Sequence, residues 1–367
     1  MESLKPLKPV FRFIKKPFRR LFVWVKQKAG WLGVPKIMAF RGYGTSSELY
    51  LKGMVIEDKG LAKPHYQQKV WHNILATIKR FSSDGIPGVR VKIVFGSNTA
   101  YTSTDEYGHF SFHFKLPRHE HSNYKNGGWH HVYYELLDQV VANQPTVYAR
   151  GQVRIVADAN RRILVSDIDD TVLISHSTQL LRKLRLMLLK NAHTRLPFPG
   201  VAKFYRSLVK GADGQRSYPF FYVSSSEWNL YDLLTDFFAI NHMPAGVFIL
   251  KKLHHNILKF WKTGGGNHFH KKEKIESLLN LYEGHEFILI GDSGQRDPFI
   301  YNEIVKQYPG RVKAIYIRCV GQKNRKRQMR RIKSQIKPSE PEMVFVNNTA
   351  EAEMHALKKG FINLENL

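Results

Sequence analysis

The sequence predicts an α/β fold in the second half of the chain and an all-β region before it. From residue 158 onward, short apolar segments alternate with amphipathic segments of helical length, which is typical of a parallel sheet covered by helices. From about residue 36 to 157, apolar residues instead recur at every second position, as in half-buried strands. With 367 residues, 43% of them hydrophobic, the chain is long enough for two or three domains.

The predicted all-β region, residues 36–157, contains two segments with clear alternation. "VRVKIVF" at 89–95 is one, and "GHFSFHFKL" at 108–116 places Phe110, Phe112 and Phe114 on one face. The turn-rich "TSTDEYG" between them favours a hairpin of these two segments. Residues 85–112 resemble the small transthyretin-like or carboxypeptidase-regulatory β-sandwiches, and this resemblance implies a β-sandwich-like architecture only.

The predicted α/β region, residues 158–367, contains six strands and six helices in alternation. The strands are predicted at 163–167, 219–224, 246–250, 287–291, 313–318 and 343–346. The helices are predicted at 178–190, 200–209, 227–239, 271–281, 297–307 and 349–359. In such sheets, ligands bind beyond the carboxyl ends of the strands, so we expect the functional site there.

Positive charge is concentrated in two stretches of the chain. The net charge is +27, from 57 basic and 30 acidic residues; residues 1–36 contain ten Lys/Arg and one Glu, and residues 321–337 contain eight Lys/Arg and no acid. Both stretches indicate an anionic partner, either phospholipid headgroups or nucleic acid. In residues 1–35, which we treat as a basic N-terminal segment, helical periodicity places apolar residues opposite basic ones, with an interruption at Pro17. The apolar face consists of Phe11, Ile14, Phe18, Leu21, Phe22 and Val25, and the basic face of Arg12, Lys15, Lys16, Arg19 and Lys26.

This N-terminal pattern fits an amphipathic helix lying in a membrane interface, or a segment that docks on the protein's own body with its charges in solvent. No apolar run reaches the roughly 20 residues of a transmembrane helix, and the apolar run "LFVWV" is too short and too basic in its surroundings for a signal peptide. A single cysteine, Cys319, excludes an intrachain disulfide and is predicted to be a buried thiol. We therefore expect a cytoplasmic protein that associates with membranes peripherally.

Four polar clusters follow the predicted strands or open a helix. They are "SDIDDT" with Asp167, Asp169 and Asp170, "SSS" at 224–226, "HKKEKI" at 270–275, and "GDSGQRD" at 291–297. Carboxylates packed together repel one another, so a hard cation such as Mg²⁺ is their natural partner. A hydroxyl and a lysine nearby suit the oxygens of a phosphoryl group.

The order of these clusters resembles the haloacid dehalogenase superfamily of phosphatases. Within it, "FYVSSSEWNLYDLL", "HKKEKIESLL" and "ILIGDSGQRDPFIYNEIVKQYPGRVKAIYIR" resemble the actin-patch-associated type of phosphatidate phosphatase as found in bacteria, over roughly residues 160–320. The resemblance implies a Rossmann-type haloacid dehalogenase-like catalytic domain. It also implies Mg²⁺-dependent hydrolysis of phosphatidate to diacylglycerol and phosphate.

The resemblance also implies a role for each matching residue. Asp167 would attack phosphorus and form an aspartyl-phosphate, and Asp169 would act first as acid and then as base. Mg²⁺ would be held by Asp167, the main-chain carbonyl of Asp169, and Asp292, while Asp297 would be a further metal ligand or would orient a metal-bound water. Ser224 would bond the phosphoryl group, and a lysine would neutralise its charge. The spacing favours Lys271 for that lysine, with Lys274 as the rival.

Some neighbouring residues fit structural roles better than catalytic ones. Asp170 and Thr171 are expected to shape the turn after Asp167, and Ser225 and Ser226 to cap the helix at 227–239.

The expected partner is a phospholipid at an anionic membrane surface, and no nucleic acid partner is expected. Two alternatives remain open at this point: a phosphatase of polynucleotide ends or phosphoproteins with the same chemistry, and a non-catalytic membrane adaptor. The sequence does not indicate an oligomeric state.

Overall fold

The computed structural model describes residues 23–58, 85–168, 200–228, 231–251, 268–293, 296–319 and 343–366, with residues 327, 330–332, 334 and 341. Several predictions therefore lie outside the described residues. They are the helix at 178–190, Asp169 to Thr171, and the amphipathic pattern from Phe11 to Phe22. The described chain divides into two compact units, with the boundary at residue 155 apart from residues 123–128, which group with the second unit.

The first unit contains eight strands in one hydrogen-bonded sheet, with the order β1-β3-β2-β8-β7-β4-β5 and with β6 paired to β3. A short 3₁₀ helix, Arg118–Tyr124, precedes β7. The strands are β1 (Pro35–Ala39), β2 (Gly42–Gly44), β3 (Glu48–Glu57), β4 (Arg90–Phe95), β5 (Asn98–Ser103), β6 (His109–Lys115), β7 (Gly128–Leu136) and β8 (Tyr148–Ile155).

The alternation predicted in this unit is confirmed, but the predicted hairpin is wrong. In β4 every second residue is buried, and in β6 Phe110 and Phe114 are buried. However, β4 pairs with β5, because the chain turns back at once through Gly96, whose φ is 57°. Strand β6 then pairs with β3 instead. The sequence "NTAYTS" of β5 was not predicted as a strand because it has no buried apolar face: its residues alternate between half-buried and exposed.

The second unit is an α/β structure, which confirms the predicted class. Its six strands are all parallel, in the order β11-β10-β9-β12-β13-β14. They are β9 (Arg162–Asp167), β10 (Phe220–Glu227), β11 (Val247–Lys251), β12 (Glu286–Asp292), β13 (Val312–Arg318) and β14 (Met343–Val346). The described α-helices are α1 (Val201–Lys210), α2 (Tyr231–Ile240), α3 (His268–Leu281), α4 (Asp297–Gln307) and α5 (Thr349–Lys358).

The central strands of this sheet form the core of the unit. Ile163, Leu164 and Val165 of β9 are completely buried, and so are Phe287 to Leu289 of β12. Uninterrupted burial of consecutive residues is expected where helices cover both faces of a parallel sheet. Cys319, directly after β13, is a buried thiol, as predicted. Strands β9 and β12 are therefore the best-anchored elements of the unit, and both end in an aspartate.

One helix boundary differs from the prediction in a way that concerns the site. The helix predicted at 227–239 begins at Tyr231, because β10 continues to Glu227, which pairs with Lys251 of β11. Ser225 and Ser226 lie within this strand, so the prediction that they cap the helix is wrong. Among the described residues, no helix combines the length and the apolar character needed to cross a membrane.

Candidate active site

The candidate site lies at the carboxyl ends of the neighbouring parallel strands β9 and β12, beside Ser224 of β10. Asp167 is the last residue of β9, and Asp292 is the last residue of the adjacent β12. On the other side of β9, Val223 of β10 is in register with Asp167, so Ser224 follows at the same edge of the sheet. The topology thus brings together residues that are separated by up to about 125 positions in the chain.

Three buried carboxylates form the acidic part of the site. Asp167, Asp292 and Asp297 each offer an oxygen within 4.8 Å of the others. Asp297 is the first residue of α4, where the helix N-terminus favours a negative charge. Its Oδ2 accepts a hydrogen bond of 3.3 Å from the backbone N–H of Asp292, which fixes the two aspartates relative to each other.

Lys271, the fourth residue of α3, lies between two of these carboxylates. Its Nζ is 2.9 Å from Asp167 Oδ1 and 2.5 Å from Asp297 Oδ1. Burial by itself would lower the pKa of Lys271, but the charges of Asp167 and Asp297 outweigh it and raise the pKa above its ordinary 10.5. Lys271 is therefore a permanent cation within this site.

The charge of this cluster fits a divalent metal ion. Three carboxylates and one ammonium group give a formal charge of −2 in a buried space. Oxygen atoms, among them those of carboxylates, are the ligands that Mg²⁺ takes in proteins. The residues present are therefore suited to hold such an ion.

Ser224 and Lys274 form the second part of the site. Ser224 is buried, and Lys274 Nζ donates a hydrogen bond of 2.7 Å to the main-chain oxygen of Ser224. Lys271 and Lys274 are three residues apart on α3 and thus share one helix face. The structure brings Lys271 to the carboxylates and Lys274 to the main chain of β10 at Ser224.

Two residues that the sequence analysis did not select, Ser166 and Tyr205, form hydrogen bonds next to the backbone of Asp167. Ser166 Oγ lies 2.8 Å from the hydroxyl of Tyr205 on α1 and 2.9 Å from the main-chain oxygen of Asp167. Burial, the largest cause, raises the pKa of Tyr205 to about 12, so its hydroxyl stays protonated. A polar residue within the buried run "ILVS" is the only signal in the sequence that points to this contact.

Gly291 is a third residue that the sequence analysis did not select. Because it has no side chain, it leaves room for the side chain of Asp297. A Cβ at this position would lie 2.5 Å from Asp297 Oδ2 and 2.9 Å from Asp297 Cβ. Real Cβ atoms do not approach other atoms so closely, so only glycine lets Asp297 reach the cluster. The glycine before Asp292 in "GDSGQRD" carried this signal.

Comparison with known proteins places all of these residues within one type of domain. A family profile described as "Phosphatidate phosphatase APP1, catalytic domain" matches residues 162–319. The protein "Phosphatidate phosphatase APP1" of Saccharomyces cerevisiae is 33% identical over 156 residues, which are 42% of this chain and 25% of that protein. An uncharacterized protein of Schizosaccharomyces pombe is 27% identical over 165 residues, 45% of this chain and 26% of that protein.

The matches span about a quarter of the length of these curated relatives. Among solved structures, a β-glucuronidase of Bifidobacterium dentium in complex with coumarin-3-O-glucuronide aligns with 87% of this chain and 45% of its own. Its TM-score of 0.21 and identity of 10% support no conclusion about the fold. Residues 162–319, which contain every residue of the site described above, are similar to the catalytic domain of phosphatidate phosphatase APP1.

Proposed function

We propose that this protein is a Mg²⁺-dependent phosphatidate phosphatase that hydrolyses phosphatidate to diacylglycerol and phosphate through an aspartyl-phosphate on Asp167. The observation that carries the proposal is the position of Asp167 at a strand end, 2.9 Å from Lys271 and within 4.8 Å of two further carboxylates. A carboxylate held in a buried, metal-compatible site beside a fixed cation is suited to attack a phosphoryl group.

In the first step, a carboxylate oxygen of Asp167 forms a bond to phosphorus and the bond between phosphorus and the glycerol oxygen breaks. Asp169 gives its proton to the leaving oxygen, which completes diacylglycerol. Asp169 owes this role to the resemblance, since it lies two residues beyond Asp167 in "DID". Asp167 is well placed for the attack because β9, its neighbours and the contacts of Ser166 fix its backbone.

In the second step, Asp169 takes a proton from a water molecule, and the oxygen of this water attacks phosphorus. The bond between phosphorus and Asp167 then breaks, so that inorganic phosphate leaves and the Asp167 carboxylate is restored. Asp169 ends this step protonated and ready for the next turnover, so protons balance over the cycle.

Asp167, Asp292 and Asp297, with the main-chain carbonyl of Asp169, would hold the Mg²⁺. Bound there, the ion supplies positive charge that offsets the repulsion between the Asp167 carboxylate and the phosphate dianion. Lys271 adds a second, permanent positive charge at the same place, and it also holds Asp167 and Asp297 in position. Ser224, on the neighbouring strand β10, would donate a hydrogen bond to a phosphoryl oxygen.

The proposal also includes a division of the chain into domains. A haloacid dehalogenase-like catalytic domain over residues 158–367 would follow a β-sandwich-like domain over 36–157 and a basic N-terminal segment over 1–35. The concentration of positive charge in residues 1–36 supports binding to an anionic phospholipid surface. We therefore place the enzyme in the cytoplasm, peripherally associated with a membrane.

The proposal is tested by measuring phosphate release from phosphatidate in mixed micelles, from phosphorylated oligonucleotides and from a phosphopeptide. Each assay is run with Mg²⁺ and with EDTA, for the parent, Asp167→Asn and the control Asp213→Asn. Asp213 is a carboxylate that pairs with Arg216 on the surface of the same unit. We expect turnover of phosphatidate that requires Mg²⁺, is abolished in Asp167→Asn and is unchanged in Asp213→Asn. Turnover confined to oligonucleotides or to the phosphopeptide would reject the lipid substrate, and activity retained by Asp167→Asn would reject the mechanism.

A further inference from the structure

A short stretch of the first unit leaves two tryptophan side chains in solvent. Trp24 is 53% exposed and Trp31 is 74% exposed, and Val25 and Val34 are exposed as well. These four residues are called the tryptophan platform below. Val23 and Leu32, which adjoin the platform residues in sequence, are buried. The segment therefore packs on the body of its unit through Val23 and Leu32, while Trp31 lies largely in solvent and the half-exposed Trp24 borders a pocket lined by residues 86–90 and 138–140.

The platform is held in place by specific contacts and is not a loosely attached tail. A helical stretch at 23–28 ends at Gly30, whose φ of 70° closes the turn, and Trp31 N–H donates to the carbonyl of Lys26 at 2.8 Å. The buried Glu57 at the end of β3 accepts a hydrogen bond of 2.9 Å from Gly33 N–H.

Two further contacts tie the same segment to the end of β3. Lys26 Nζ lies 3.4 Å from Glu57 Oε2, and Asp58 N–H donates to the carbonyl of Val34 at 2.7 Å. Lys26, which the sequence pattern assigned to a solvated basic face, thus helps to dock the segment, whereas Val25 faces solvent. An apolar surface that is fixed in an exposed position loses little conformational entropy when it binds a partner.

The charge of the chain around the platform indicates what kind of partner it meets. The fold brings three acidic residues to the segment, of which Glu57 pairs with Lys26 and Asp138 with Arg90, while the backbone of Asp58 bonds Val34. Residues 3–47 contain no aspartate or glutamate, although they contain eleven lysines and arginines. Lys28 and Lys36 lie within or directly beside the platform segment, and both fall in this acid-free stretch. Tryptophan with nearby lysine is the combination that anchors proteins at the headgroup level of a bilayer, where the indole ring is half apolar and half polar.

We propose that the tryptophan platform is a membrane-contact surface that inserts Trp24 and Trp31 among the headgroups of an anionic bilayer. This inference deepens the proposed function, and it rests on that function only for the identity of the lipid that the enzyme then hydrolyses. It adds a defined insertion site to the general attraction of the basic N-terminal segment. Charge draws the protein to the surface, and burial of the two indole rings holds it there.

The experiment uses the full-length chain and vesicles without phosphatidate, so that binding is measured apart from catalysis. The variant Trp24→Ser/Trp31→Ser is compared with the parent and with the control Tyr101→Ser/Tyr148→Ser. Tyr101 and Tyr148 are 62% and 66% exposed on strands of the same unit, so the control removes a similar exposed aromatic surface elsewhere. Sedimentation with vesicles of phosphatidylcholine, with and without phosphatidylserine, gives the affinities. Quenching of tryptophan fluorescence by brominated lipid reports insertion.

We expect the parent and the tyrosine variant to bind phosphatidylserine vesicles equally, and the tryptophan variant to bind at least about tenfold more weakly. We also expect brominated lipid to quench the parent and the tyrosine variant but scarcely the tryptophan variant. All three proteins should hydrolyse a monomeric short-chain phosphatidate at the same rate, which shows that they are folded. If no protein hydrolyses phosphatidate but the binding results hold, the proposed function fails and the membrane surface stands.

Three results would overturn the membrane surface. The first is undiminished vesicle binding by the tryptophan variant, and the second is an equal loss of binding by the tyrosine variant. The third is that the parent binds a single-stranded oligonucleotide more tightly than vesicles and that the tryptophan variant loses this oligonucleotide binding. Indole rings also stack on bases, so this result would indicate a nucleic acid partner.

Discussion

The ammonium nitrogen of Lys271 lies 2.9 Å from a carboxylate oxygen of Asp167, the residue proposed as nucleophile. A second bond, to Asp297, means that one cation compensates two of the three buried carboxylates. In the proposed reaction the same ammonium group would also face the phosphoryl group that Asp167 attacks. Lys271 thus connects the stability of the site with its chemistry, and the two contributions can be measured separately.

Replacing Lys271 by methionine should lower both the stability of the protein and its turnover. The change leaves buried carboxylates without their compensating charge, so in EDTA the free energy of unfolding should fall by about 3–5 kcal/mol, as measured by urea denaturation. Turnover with Mg²⁺ should fall at least about a hundredfold, because a cation that acts on the developing charge is lost. Lys271→Arg should recover more of the stability than of the activity, since it restores charge but not the same geometry.

The matched control for this prediction is Lys272→Met on the same helix. Lys272 makes exposed ion pairs with Glu303 and Glu276, which are worth about 0–1 kcal/mol. Its loss should change unfolding by no more than that and leave turnover intact. Equal losses in the two lysine variants would show that the effect belongs to the helix and not to the site.

Gly291→Ala should weaken metal binding although Gly291 has no side chain to offer a ligand. The added methyl group would lie 2.5 Å from Asp297 Oδ2, so Asp297 must move out of the cluster. Displacing or releasing a ligand of this kind costs about 10- to 100-fold in metal affinity, which a Mg²⁺ titration of turnover or of thermal stability will measure.

A double-mutant cycle distinguishes this explanation from general damage to the strand. If Gly291→Ala acts through Asp297, then adding it to Asp297→Asn should cause little further loss of metal affinity. Fully additive losses would contradict the steric argument.

The second unit was predictable because its signals are local. Strand 343–346 and helix 297–307 were predicted with the bounds that the structure has. The helix is marked by Asp297 at its start and by Pro298, which is preorganised for the first turn. Since parallel strands place their carboxyl ends at one edge of the sheet, the sequence alone predicts that Asp167 and Asp292 both lie at that edge, whereas the adjacency of their strands is seen only in the structure.

The remaining features depend on contacts between distant parts of the chain. Strand β5 is half-exposed and polar, so only its pairing with β4 defines it. The extension of β10 to Glu227 depends on β11, more than twenty residues away. The family spacing favoured Lys271 but kept Lys274 as a rival, because residues three apart on a helix face the same direction. Their partners, Asp167 and the carbonyl of Ser224, were needed to separate them.

Lys274→Met should reduce turnover by acting on the position of Ser224. The lost bond of 2.7 Å holds the main-chain oxygen of Ser224, so we expect about a tenfold loss in kcat/KM with unchanged dependence on Mg²⁺. If Lys274 acts through Ser224, its effect should nearly vanish in a Ser224→Ala background, as kinetics of the four proteins will show. Full additivity, or a shift in the Mg²⁺ requirement, would mean that Lys274 acts elsewhere in the site.

Asp292→Asn should raise the stability of the protein in the absence of Mg²⁺ and lower it, relative to the parent, when Mg²⁺ is bound. Lys271 bonds Asp167 and Asp297, and Asp292 is the third carboxylate within 4.8 Å of both. In EDTA, removing its charge relieves repulsion, so the variant should be more stable than the parent by about 1 kcal/mol. At a Mg²⁺ concentration of about 100 times the dissociation constant, the parent should gain about 2.7 kcal/mol, and the variant almost nothing. Thermal unfolding of both proteins at a series of Mg²⁺ concentrations will show whether the variant is the more stable protein in EDTA and the parent the more stable one at high Mg²⁺. If the parent is the more stable protein in EDTA, or if both gain equally from Mg²⁺, then the three carboxylates are a structural cluster and not the metal site.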